Sequence, residues 1–108
     1  MLRVLRHAMR ITLILFYLPP NTPRTIRNKF PQKLYGQAVS SWGGKYRYQK
    51  IGFLESIPYR KLYRGVILVR NEDLDSVLNF LKEWDAIVEI REIIPLDEDL
   101  KQLSSGAD

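Results

Sequence analysis

The chain has 108 residues, 45% of them hydrophobic and 27% charged, which is one domain's worth of sequence with enough apolar residues for a core. It contains no cysteine and a single histidine, His7, so disulfides, thiolate metal sites, cysteine nucleophiles and multi-histidine metal centres are excluded. The 17 Lys and Arg outnumber 12 Asp and Glu, for a formal charge of +5. The signs are sorted along the chain: residues 1–70 hold 14 basic residues and one acid, Glu55, whereas residues 71–108 hold 3 basic residues and 11 acids. Sorting of this kind points to a polyanionic partner.

Residues 1–10 read as a basic amphipathic arm, with Leu2, Leu5 and Met9 at helical spacing opposite Arg3, Arg6 and Arg10. Arginines ahead of the apolar run 11–18 are superficially leader-like. The run is far short of the roughly 20 residues that span a bilayer, and Pro19-Pro20 stands where a small-residue cleavage site would follow. Rich in branched and aromatic residues, the run is instead predicted to be a buried central strand. Met9 is then a candidate initiator. The protein is expected to be cytoplasmic, with no membrane partner.

After a turn at 18–21, Thr22 and Pro23 mark a helix start, with Thr as N-cap and Pro in the first turn. Ile26, Phe30, Leu34 and Ala38 step by four and predict one buried stripe. Pro31 predicts a kink or two short helices, and Gly36 is a second weak point before a loop at 40–44. From residue 45 the period becomes two: Tyr46 and Tyr48 alternate with Arg47 and Gln49 along a strand at 45–50. Residues 52–58 carry turn chemistry. A longer strand is predicted at 60–70, apolar on both faces over Val66-Ile67-Leu68-Val69. Asn71 is the predicted cap of the next helix, with Glu72, Asp73 and Asp75 at the positive end of its dipole. Leu74, Val77, Leu78, Leu81 and Trp84 form the buried stripe of that helix. The last strand, 86–94, points Val88 and Ile90 inward and Glu89 and Arg91 outward. Pro95 stops it, and 96–108 is expected to be an acidic, flexible tail.

The order β-α-β-β-α-β over 11–95 predicts an α+β domain, a ferredoxin-like sandwich. Its four-stranded antiparallel sheet would carry both helices on one face and leave the other open. The first and third strands, the two most apolar segments, would be central. Fold alone assigns no function.

No Gly-rich phosphate loop, Gly-x-Ser-x-Gly elbow or His-Glu-x-x-His motif occurs. Glu72, Asp73 and Asp75, or Asp97, Glu98 and Asp99, could offer oxygens to magnesium, but they read as a helix start and a solvated tail. No catalytic residue, metal or cofactor is assigned. Arg24, Arg27 and Lys29, followed by Leu34-Tyr35-Gly36, resemble the basic first helix, ending near Tyr-Gly, of the Cas2 nucleases of CRISPR systems. The resemblance covers the first third of the chain. It implies a domain of this size and fold, with a metal-binding aspartate closing the first strand. This chain has Tyr17-Leu18-Pro19-Pro20 there, so the hydrolytic site of that family does not carry over.

The binding signals are stronger. Arg24, Arg27 and Lys29, with Lys33 beyond them, crowd the opening of a helix, where cations cost a few tenths to ~1 kcal/mol each against the dipole. A bound phosphate reverses that sign. Residues 45–64 interleave Tyr46, Tyr48, Phe53, Tyr59 and Tyr63 with Lys45, Arg47, Lys50, Arg60, Lys61 and Arg64. On an open sheet, bases would stack on the rings for about 1–3 kcal/mol each while the cations neutralise phosphates. Trp42, beside Gly43-Gly44, is a candidate anchor for a protein partner or a plug on the core. The expectation is a non-enzymatic nucleic-acid-binding accessory protein, for DNA or RNA, within a larger assembly and compatible with a homodimer. The alternative is a protein-interaction module that docks an acidic partner.

Overall fold

A computed structural model describes residues 9–41 and 46–105, with side chains described except at 39–41, 46–48 and 105. In chain order the elements are β1 (Ile11–Tyr17), α1 (Arg24–Tyr35), β2 (Gln37–Ser41), β3 (Tyr46–Lys50), a 3₁₀ turn (Phe53–Ser56), β4 (Tyr59–Tyr63), β5 (Val66–Arg70), α2 (Asn71–Glu83), β6 (Ile87–Ile93) and α3 (Asp97–Ser105). They fall into two units, one made of Met1–Pro19 and Ile57–Asp108, the other of Pro20–Ser56.

The first unit is built on a four-stranded antiparallel sheet of order β4-β5-β1-β6. Its central strands are the most apolar segments, as burial on both faces requires: Ile11, Ile14, Ile67, Leu68 and Val69 are fully or almost fully buried. The predicted strand at 60–70 is in fact a hairpin. Gly65 adopts a left-handed φ of 77°, which a glycine tolerates without cost. Its carbonyl accepts the Phe16 N–H at 2.8 Å, so the turn is tied to β1. The sheet therefore takes its fourth strand from 59–63 and not from 45–50.

Helix α2 starts one residue earlier than a capping Asn71 would set it. Arg70 is the N-cap, with no side-chain capping bond. The Asn71 side chain instead accepts the Thr12 hydroxyl at 2.5 Å, and its backbone N–H donates to the Arg10 carbonyl at 2.9 Å. These bonds pin the helix start to β1. Glu72 and Asp73 occupy the first turn as expected, and Val77 and Leu81 are fully buried. At the other end the Asp85 N–H reaches the Lys82 carbonyl (3.0 Å) and the Ala86 N–H reaches the Leu81 carbonyl (3.1 Å). This Schellman closure puts Asp85 at φ 58°, a position that glycine fills more cheaply. Asp85→Gly is expected to stabilise the chain by about 0.5–1 kcal/mol, read as a higher Tm in thermal denaturation.

The segment expected to be a flexible tail is helix α3. The Leu96 N–H donates to Asp99 Oδ2 at 2.9 Å, and the Leu96 carbonyl accepts from Asp99 and Leu100, a side-chain cap at the helix start. Leu103 is fully buried and joins Ile11 and Leu68, with Met9, Leu13 and Ile93 packed around them. The sheet face predicted to be open is thus half covered. Across the uncovered half, Leu15, Tyr17 and Ile87 remain exposed.

In the second unit α1 is one continuous helix despite Pro31, which has no N–H to donate within it. The expected break does not occur. Pro23, not Thr22, is the N-cap; its carbonyl accepts the Ile26 and Arg27 N–H groups. Phe30 and Leu34 are buried, while Ile26 is partly exposed and Ala38 lies beyond the helix, on β2. The helix lies against the 3₁₀ turn, whose Leu54 is buried. Strands β2 and β3 pair antiparallel with each other, Gln37 opposite Lys50 and Ser41 opposite Tyr46. The strand predicted at 45–50 belongs to this separate hairpin.

Candidate nucleic-acid interface

The division into units recasts the charge pattern. Pro20–Ser56 contains seven basic residues (Arg24, Arg27, Lys29, Lys33, Lys45, Arg47, Lys50) and one acid, Glu55, a net +6. The rest of the chain holds the other ten Lys and Arg and eleven acids, close to balance. Within that balanced unit, four arginines are met by carboxylates. Arg10 pairs with Glu92 at 2.8 Å, Arg60 with Asp99 at 3.5 Å, Arg70 with Asp73 at 3.0 Å and Glu72 at 3.3 Å, and Arg91 with Glu89 at 3.3 Å. The hydrogen bond from Arg10 holds the Glu92 carboxyl below its ordinary range, and the same bond raises the guanidinium. A single carboxylate in the basic unit cannot do the same for seven cations.

Four of those cations stand on α1, a helix with no acid in its first turn and no side-chain cap. All four are exposed. By helical spacing, Arg24 lies on one flank of the Phe30 and Leu34 stripe and Lys29 and Lys33 on the other, while Arg27 sits on the edge of that stripe. Arg27 also folds back, its Nε donating to the Thr22 carbonyl at 3.2 Å. Lys50 is exposed at the end of β3. Tyr46, Arg47 and Tyr48 lie on β3, their side chains outside the described set. Trp42, Lys45 and the arm at 1–8, with His7, lie outside the described residues.

Of the other predicted contacts, Arg60, Lys61 and Arg64 belong to the first unit. Lys61 and Arg64 are exposed; Arg60 is half-buried and held by Asp99. Sequence reasoning missed Asp99, because its acidic neighbours look like a solvated tail. The interleaved stretch 45–64 is thus divided between β3 in one unit and β4 in the other. Of the acids considered for magnesium, Glu72 and Asp73 face Arg70, and Asp99 serves α3 and Arg60. Among the described residues, no three His, Asp or Glu side chains gather as a metal site, and no helix is long and apolar enough to cross a membrane.

The Leu34-Tyr35-Gly36 stretch has a local explanation. A side chain on Gly36 would meet the Lys50 carbonyl at 2.7 Å, and one on Gly52 would meet the Gly36 nitrogen at 2.1 Å. Backbone crosses backbone here, which requires glycine. Compared with known proteins, the chain matches no family model, no curated protein and no solved structure. What fold and surface define is an α+β chain with a charge-balanced sheet unit and a strongly basic helix-and-hairpin unit.

Proposed function

We infer that the protein is a non-enzymatic, cytoplasmic nucleic-acid-binding accessory protein that holds DNA or RNA through its phosphates. The observation that carries this reading is the net +6 over Pro20–Ser56, with exposed Arg24, Lys29 and Lys33 on one helix, whereas four arginines of the other unit, Arg10, Arg60, Arg70 and Arg91, have carboxylate partners. A fold selected for stability alone has no use for an acid-free helix start carrying four cations, whereas a polyanion makes each favourable. The same reading keeps the ferredoxin-like βαββαβ order for the fold. The antiparallel order β4-β5-β1-β6, with β1 and β5 central, supports it.

If about five phosphates are neutralised, the logarithm of the association constant should fall against log salt with a slope of about −4 on duplex DNA. Replacing Arg24, Lys29 and Lys33 together by Ala should flatten the slope by about three and leave Tm unchanged, since none of the three is buried. Anisotropy titrations against duplex and single-stranded DNA and RNA check both. Absence of salt-sensitive binding to all of them rejects the reading.

The exposed apolar strip of Leu15, Tyr17 and Ile87 favours a second reading, a module that docks a protein partner. A stoichiometric partner that survives nuclease and high salt in native purification would favour it over the first.

A further inference from the structure

Strand β6 is an edge of the four-stranded sheet. Its free side can be read from the hydrogen-bond phase. The Phe16 N–H is turned toward Gly65, so the even-numbered residues of β1 bond toward β5 and the odd-numbered ones toward β6. Ile87, Glu89, Arg91 and Ile93, registered with Tyr17, Leu15, Leu13 and Ile11, therefore spend their N–H and C=O groups on β1. Those of Val88, Ile90 and Glu92 face outward. Consistently, the Ile90 carbonyl is met by the guanidinium of its own neighbour, Arg91 Nη1, at 2.6 Å. Seven residues long and bearing Ile87 and Ile90 at about 40% exposure, this edge is of the kind that proteins usually cover.

The sequence of the edge, Ile87-Val88-Glu89-Ile90-Arg91-Glu92-Ile93, is charge-complementary to its own reverse about Ile90. Two copies placed antiparallel on a two-fold axis at Ile90 set Ile90 against Ile90, Val88 against Glu92, and Ile87 against Ile93. All outward N–H and C=O groups of Val88, Ile90 and Glu92 then find partners. Each Glu89 stands opposite the Arg91 of the other copy, in the non-hydrogen-bonded pairs where side chains approach most closely. Within one chain Glu89 and Arg91 already share a sheet face, 3.3 Å apart, so the dimer would gather four alternating charges. Moving the axis by one residue either way puts Glu89 against Glu89 or Arg91 against Arg91, which disfavours those registers. We propose that a second copy of this chain docks on β6, centred on Ile90, and joins the two sheets into one of eight strands.

Sedimentation of the full chain, without nucleic acid, tests this. A dimer is expected at roughly 100 µM. Glu89→Arg and Arg91→Glu should each lower the association constant about tenfold by setting like charges across the axis, and the double variant E89R/R91E should restore it to within about threefold. Both side chains are exposed, so circular dichroism should show all variants folded. A monomer at that concentration, a dimer indifferent to the single reversals, or a double variant that stays dissociated would each overturn the proposal.

Discussion

Leu103→Ala is expected to lower stability by about 3 kcal/mol in urea denaturation. The residue has no exposed surface, and it seals Ile11 and Leu68, both from central strands, with Leu13 and Ile93 at the margin. Truncating it removes methyl groups from the sheet face opposite α2 and leaves a cavity whose walls, set by paired strands, relax little. A residue in a solvated tail would change stability by no more than about 0.5 kcal/mol. The variant thus separates a structural α3 from an ornamental one, and a change within that smaller range would refute the packing of α3. The same helix carries Asp99, which caps the helix start and faces Arg60. Loss of Leu103 should therefore also release Arg60.

Why the sequence hides α3 follows from its composition. Asp97, Glu98 and Asp99 look like solvated charge, yet acids gather at the positive end of a helix as readily as in a tail. The decisive signal is the spacing of Leu96, Leu100 and Leu103, which is helical but short. Strands β1 and β5 and helix α2 are legible because a continuous branched run and a wide apolar stripe each have one physical solution. The hairpin at 59–70 is not, since a single glycine carries its turn. Residues 37–41, Gln-Ala-Val-Ser-Ser, carry no period at all, and only pairing with 46–50 makes them a strand. Charge sorting is visible in the sequence as a sum over 1–70. Its resolution into a charge-balanced unit and a basic unit depends on contacts such as Arg10 with Glu92, 82 positions apart, which no local pattern encodes.

Gly52→Ala should unfold the basic unit selectively, at a cost of roughly 3 kcal/mol or more. The added Cβ would lie 2.1 Å from the Gly36 nitrogen, 2.4 Å from the Tyr35 carbonyl carbon and 2.8 Å from the Leu34 carbonyl oxygen. All three are backbone atoms at the end of α1, so no rotamer relieves the clash and the crossing itself must open. Because this crossing joins the helix to the chain leaving β3, its loss should free α1 and the β2–β3 hairpin together. Hydrogen exchange is the direct readout: amides in α1 and β3 should lose protection while those of β1 and β5 keep theirs. The variant also complements the charge substitutions on α1. Removing Arg24, Lys29 and Lys33 should weaken phosphate binding and flatten its salt dependence with the fold intact, whereas G52A keeps every cation and should lose binding through their arrangement. Wild-type affinity in G52A, with the α1 amides unprotected, would mean that charge alone, without a folded helix, suffices to hold the nucleic acid.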